Sequence, residues 1–207
     1  AAPVAGPGVW EQVAAAAVGA PDRTAVTAPD GRVTFGELVV ATAEVADRLA
    51  DRATAWGDAA ERSVEEGLVV GVLAPTSVAG LVAVLGALRA GVAVAPLEPT
   101  APSRRLRAHV ERAGVCAVVA VPGTAAAAAM LGVPALEVGA VGASPRHRDA
   151  IGAAVLAPPP PSPPSASDAI VYVTSGSTGE PKAVVHDHAS LLANIDAVAG
   201  ALEIAAD

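Results

Sequence analysis

The sequence is poor in cysteine, aromatic rings and positive charge, and each shortage removes a class of protein. A single cysteine among 207 residues excludes an internal disulfide, and with it the small stapled folds of secreted proteins. That cysteine, Cys116, lies in the apolar run 115–121, where it reads as a buried strand residue. Its solitude favours a reducing, cytoplasmic setting. Aromatic residues make up 2% of the chain and are Trp10, Phe35, Trp56 and Tyr172. A core built on large rings is thereby excluded, and the two tryptophans read as anchors in tight, alanine-lined helix–sheet packing. Lys and Arg number 13 against 21 Asp and Glu, a formal charge of −8. A chain so acidic and so short of rings offers neither a cationic track for a phosphate backbone nor a stacking platform for bases, so nucleic acid is not expected as a partner.

Apolar runs of membrane-spanning length are also lacking. Mean hydropathy is +0.50 and residues 113–136 carry no charge, but Pro122-Gly123, Gly132 and Pro134 cut that stretch into pieces shorter than the ~20 residues a span needs. No membrane segment is expected. The start, residues 1–8, has no Met, no basic region and no apolar signal core, and reads as an internal linker from a longer polypeptide. What the chain does have is apolar residues, 53% of the total, enough to bury a core in one or two domains.

Residues 9–18 form a weak amphipathic helix pattern closed by Gly19 and Pro21. Asp30-Gly31 between the alternating runs 24–27 and 32–34 predicts a hairpin. Thr34 and Glu37 have capping-box spacing and open a helix with the stripe Leu38, Ala41, Val45 and Leu49. From Gly67 the pattern becomes strand, helix, strand, helix, strand: strands over 68–73, 92–95 and 116–121, helices over 76–89, 103–113 and 125–131, with Thr76 or Ser77 and then Ser103 as caps. That period predicts a helix-flanked, largely parallel sheet, an α/β fold. A short strand is expected over 135–138. The proline-rich stretch 158–167 reads as a linker, dividing a subdomain over 9–157 from a strand–loop–strand–helix unit over 168–207.

The loop after Val173 reads Thr174-Ser175-Gly176-Ser177-Thr178-Gly179-Glu180-Pro181-Lys182. Glycines let backbone amides turn towards an anion, the hydroxyls donate to its oxygens, and a terminal lysine supplies a point charge. These are the elements of a phosphate cradle, although neither the Walker nor the Gly-x-Gly-x-x-Gly fingerprint is met. Taken alone, the loop reads equally well as a Ser/Gly turn with Lys182 a solvated charge. Its context favours the cradle. Residues 172–184 resemble the phosphate-loop motif of the adenylate-forming superfamily: acyl-CoA ligases, luciferases and the adenylation domains of nonribosomal peptide synthetases. Upstream and in order, Val33-Thr34-Phe35-Gly36-Glu37-Leu38 resembles the first core motif of adenylation domains, and residues 88–99 resemble the second. The family usually has glycine at the place of Ala183 and often an aromatic at that of Val94.

The resemblance covers about residues 9–207 and implies the N-terminal portion of the adenylate-forming large domain, ending just after the phosphate loop. It assigns ATP-phosphate binding to Thr174, Ser175, Gly176, Ser177, Thr178, Gly179 and Lys182. The implied activity is attack of a carboxylic or amino acid on the α-phosphate of ATP, with coenzyme A or a phosphopantetheinyl carrier protein as the thiol acceptor. The implied setting is a multidomain natural-product synthase. In the family, the acyl pocket, the acid that helps hold Mg2+, the ribose-binding aspartate and the catalytic lysine come later. No complete catalytic set is therefore expected in this chain, and activity is expected to need the rest of the parent polypeptide or a completing chain. The alternative is a non-catalytic scaffold or docking element. Either way, the isolated chain is expected to expose an apolar face.

No metal site is read. In His186-Asp187-His188 alternate residues share a strand face, but no third protein ligand is near, and a structural or capping role for His188 is the better reading. His109 and His147 lie beside arginines and read as solvated. Arg104, Arg105 and Arg107 on one helix suit either an acidic carrier protein or plain solvation, and the sequence favours solvation.

Overall fold

The computed structural model describes residues 8–59, 67–139, 168–175 and 181–203. The proline-rich stretch 158–167, residues 1–7 and His147 lie outside them. In chain order the elements are α1 (Val9–Gly19), β1 (Thr24–Ala28), β2 (Gly31–Thr34), α2 (Phe35–Ala59), β3 (Val69–Leu73), α3 (Val78–Arg89), β4 (Ala93–Leu97), α4 (Ser103–Ala113), β5 (Val115–Ala120), α5 (Ala125–Ala129), β6 (Ala135–Glu137), β7 (Asp168–Ser175), β8 (Pro181–Asp187) and α6 (His188–Ala201). β1 and β2 form the expected hairpin, with Ala28 opposite Gly31. The main sheet runs β6-β5-β3-β4-β7-β8. Every neighbouring pair in it is parallel except β7 and β8.

Valine- and alanine-rich runs form the central strands because both faces of this sheet are covered. Val70, Val72, Val94 and Val119 face α2 and α3 in one core, and Leu73, Ala95, Val118 and Ala120 face α4 and α5 in another. The layers are therefore helix, sheet, helix, the α/β class expected. The capping box of α2 forms: the Thr34 amide donates to Glu37 Oε2 at 2.8 Å, and the Glu37 amide donates to Thr34 Oγ1 at 3.3 Å. Leu38, Val45 and Leu49 are buried from the expected stripe, with Ala41 half-buried. α3 crosses α2 closely at Gly86, where a Cβ would lie 2.6 Å from Val45 Cβ. Trp10 is buried with the Arg89 guanidinium carbon 4.6 Å above its ring, a cation–π anchor for α1. Trp56 is buried in the larger core.

Several boundaries differ from expectation. β4 runs on to Leu97 through Pro96, which lacks an amide hydrogen but is exposed and lies beyond Val94↔Ile170, the one position among the described residues where β4 pairs with β7. Ser77 caps α3, accepting from the Gly80 amide at 3.0 Å. Ser103 does not cap α4: Pro102 holds that place, and its carbonyl accepts from the amides of Arg105 and Leu106. α4 ends where Gly114 turns left-handed, at φ 64°. α5 stops at Ala129, short of the expected 131, with Met130 as its cap.

Candidate phosphate-binding site

β7 and β8 form an antiparallel hairpin in which Thr174 lies opposite Lys182 and Ser175 opposite Pro181. The strands thus extend further than the sequence predicted, leaving residues 176–180 between them. Of the expected phosphate-binding residues, the structure places Thr174 and Lys182 face to face, both exposed. Ser175 ends β7. Gly176, Ser177, Thr178 and Gly179 lie outside the described residues. The Thr174 hydroxyl donates to the Lys182 carbonyl at 3.4 Å, tying the two stems together. Ala183 pairs with Val173 between two regular rungs, so the alanine in place of glycine sits in an unbroken ladder.

The hairpin stands at the rim where β3 and β4 also end, because β7 is parallel to β4. There α3 leaves β3 towards one face of the sheet and α4 leaves β4 towards the other. Such a switch point opens a crevice beyond the strand ends. It holds a cleft of 370 Å³ lined by Ala74, Pro75, Ser77, Gly80, Pro96 and Glu98. Glu98 Oε1 accepts from the Thr100 hydroxyl at 2.9 Å, folding the turn after β4. The far wall is held by a residue that sequence reasoning missed: Asp30, at the hairpin turn, accepts from the amides of Val78 at 2.7 Å and Ala79 at 3.1 Å. Burial pushes the Asp30 carboxyl up, but the amides of Val78, Ala79 and its own backbone together outweigh this and hold it below the usual range. An acid capping a helix from 48 residues away has no local sequence signal. The cleft did have one, in the order of strands and helices.

β8 passes directly into α6. Asp187 caps that helix, accepting from the Ser190 amide at 2.7 Å, so the capping role considered for His188 belongs to its neighbour. The amide and hydroxyl of Ser190 hold the Asp187 carboxyl below its usual range. His188 has a structural place instead: its Nδ1 accepts from the Val9 amide at 3.3 Å, joining the start of α1 to the start of α6. Burial pushes the His188 imidazole down, against the opposing pull of Glu11, Asp187 and Asp168. His186 meets Tyr172 edge-on, with ring centroids 5.8 Å apart. Among the described residues no group of three potential metal ligands gathers, and no helix is long and apolar enough to cross a membrane.

Two hydroxyl- and lysine-bearing stems at the carboxyl rim of a parallel sheet, bracketing a Ser/Thr/Gly loop, provide donors suited to anionic oxygens. The AMP-binding enzyme model matches residues 13–206, and the chain belongs to that family of adenylate-forming ligases. It is 35% identical over 180 residues to the nonribosomal peptide synthetase otaB of Aspergillus carbonarius, covering 87% of this chain and 9% of that one. It is 36% identical over 185 residues to the pyochelin synthetase PchE of Pseudomonas aeruginosa, covering 89% of this chain and 11% of that one. The chain therefore spans about a tenth of these curated relatives. The nonribosomal peptide synthetase FmoA3, solved in an α-methyl-L-serine-AMP-bound form, superposes with a TM-score of 0.69 at 26% identity, over 96% of this chain and 20% of that one. The fold is that of the N-terminal part of adenylate-forming enzymes.

Proposed function

We propose that this chain is the phosphate-gripping portion of an ATP-dependent ligase that activates a carboxylic or amino acid as its adenylate, working in the cytoplasm within a multidomain synthase. The observation that carries the reading is the Thr174–Lys182 rung, which brings a hydroxyl and an ammonium to the two ends of one short loop. In this reading Thr174, Ser175, Ser177 and Thr178 donate to the β- and γ-phosphate oxygens of ATP. Gly176 and Gly179 let backbone amides approach, and Lys182 neutralises charge as the substrate carboxylate attacks the α-phosphorus and pyrophosphate departs. Mg2+, held mainly by the phosphates and by residues outside this chain, would offset further charge. The acyl group then passes to the thiol of coenzyme A or of a carrier protein's phosphopantetheine.

The same reading keeps residues 1–8 and 158–167 as linkers, with 9–157 and 168–207 as the units they serve. It is tested by binding of pyrophosphate and ATP to this chain, and by ATP–pyrophosphate exchange in the polypeptide that contains it, each with Lys182→Ala. Loss of a charge-assisted contact should weaken binding by roughly tenfold or more, with exchange falling in parallel. Equal binding by both proteins overturns the phosphate assignment. Absence of exchange from the longer polypeptide with its fold intact favours the scaffold reading.

A further inference from the structure

The outer face of α4 is unlike the rest of this acidic molecule. Within 11 residues it carries Arg104, Arg105, Arg107 and Arg112, out of only 13 basic residues in the chain, against one exposed acid, Glu111. All four are exposed, while Leu106, Val110 and Ala113 turn inwards. The first turn holds no acidic residue and no side chain caps it, so Arg104 and Arg105 stand at the positive end of the helix dipole, where their charge destabilises the helix. No carboxylate among the described residues pairs with either of them. Arg107 Nε donates to the carbonyl of Met130 at 2.9 Å, and Met130 is 51% exposed. Arginine and methionine are the side chains enriched where proteins meet. The local field is strong enough to act within the helix: burial and Arg105 together push the His109 imidazole down.

A merely solvated face would gain from acids in its first turn. We propose that the outer face of α4, with Met130 beside it, is the docking surface for an acidic carrier protein. The identity of the partner as a carrier rests on the ligase reading above; the surface itself does not. A protein fits better than the other polyanions. The one ring on α4, His109, is half-buried, which leaves no exposed platform for a base to stack on, and a single methionine gives too little apolar area to enter a lipid surface.

The test is titration of the isotope-labelled chain with a phosphopantetheinylated carrier protein of net negative charge, and with its apo form. Resonances of Arg104, Arg105, Arg107 and Met130 should shift, with both forms binding alike and affinity falling as salt rises. Arg104→Glu/Arg105→Glu should weaken binding on the order of tenfold or more while leaving Tm unchanged or higher, since acids suit a helix start. Carrier binding that survives this charge reversal overturns the proposal. So does recruitment of duplex DNA or phosphatidylserine vesicles, rather than the carrier, to α4. Lys182→Ala should leave carrier docking intact. If pyrophosphate binding fails in the parent chain while the carrier still docks on α4, the phosphate reading falls and the surface stands.

Discussion

β5 and β8 are valine-bearing strands of one sheet, and their surroundings are opposite. All six residues of β5 are buried. Along β8, of residues 182–187 only His186 is even half-buried, and Val185 is 52% exposed. β5 lies between β3 and β6, with helices over both faces. β8 is the outermost strand, and the helix after it buries none of its own residues. Ile195, Val198 and Leu202 are exposed with it, which is the apolar face the sequence led us to expect. Local composition therefore specifies that a strand forms, whereas its neighbours decide whether that strand is core. The β7–β8 hairpin belongs to the least covered end of the described fold, and natural edge strands are seldom left so apolar.

The largest test of that contrast is a pair of truncations. Leu73→Ala, in the fully buried region, should lower stability by about 2–5 kcal/mol. Val185→Ala should change it by less than about 0.5 kcal/mol. Urea unfolding of both variants measures the difference, and equal losses would break the comparison. A smaller effect is expected at Asp30, which holds the start of the interior helix α3. Asp30→Ala should cost about 0.5–2 kcal/mol. Because the folded carboxyl is held below its unfolded value, that contribution is present above an unfolded pKa of about 3.9. It is lost as pH falls through the lower folded value, so the two proteins should converge in acid. The smallest effect lies at His188. Its folded imidazole is pushed down by burial, so its contribution is complete above an unfolded pKa of about 6.5 and declines as pH falls below that. Protonation also removes the acceptor for the Val9 amide, and the protection of that amide, its exchange measured against the intrinsic rate at the same pH, should fall selectively on acidification. A matching loss of protection across β5 would contradict a local event.

What could be read from the sequence was what short-range chemistry determines. The capping pair Thr34 and Glu37, the Asp30-Gly31 turn and the valine runs of β3 and β5 each specify their own few residues, and each forms as expected. Features that depend on meeting a distant partner were not legible. Asp30 reaches α3, His188 reaches α1, and Pro96 remains in a strand because the ladder beside it ends early. The candidate site was legible as a composition, from hydroxyls, glycines and a lysine. Its position was not, since the pairing of β7 with β4 joins residues 76 apart in sequence, Val94 and Ile170. Lys182, read as the end of the loop, lies in β8 instead, which begins at Pro181; proline is tolerated at the first position of a strand.

The sheet's ladders also have a mechanical consequence. β7 and β8 are riveted to each other along seven rungs, whereas among the described residues β7 meets β4 at one. β3 and β4, by contrast, share five. A beam stiffer along its length than at its root, where Ala169, Ile170 and Val171 are packed into the two cores, is a cantilever: a load at its tip is carried back to that clamp as a body. The tip here is the loop between Thr174 and Lys182, and the far end of the beam is the His188–Val9 contact. Any ligand that pulls on that loop should therefore be felt at the beginning of the chain.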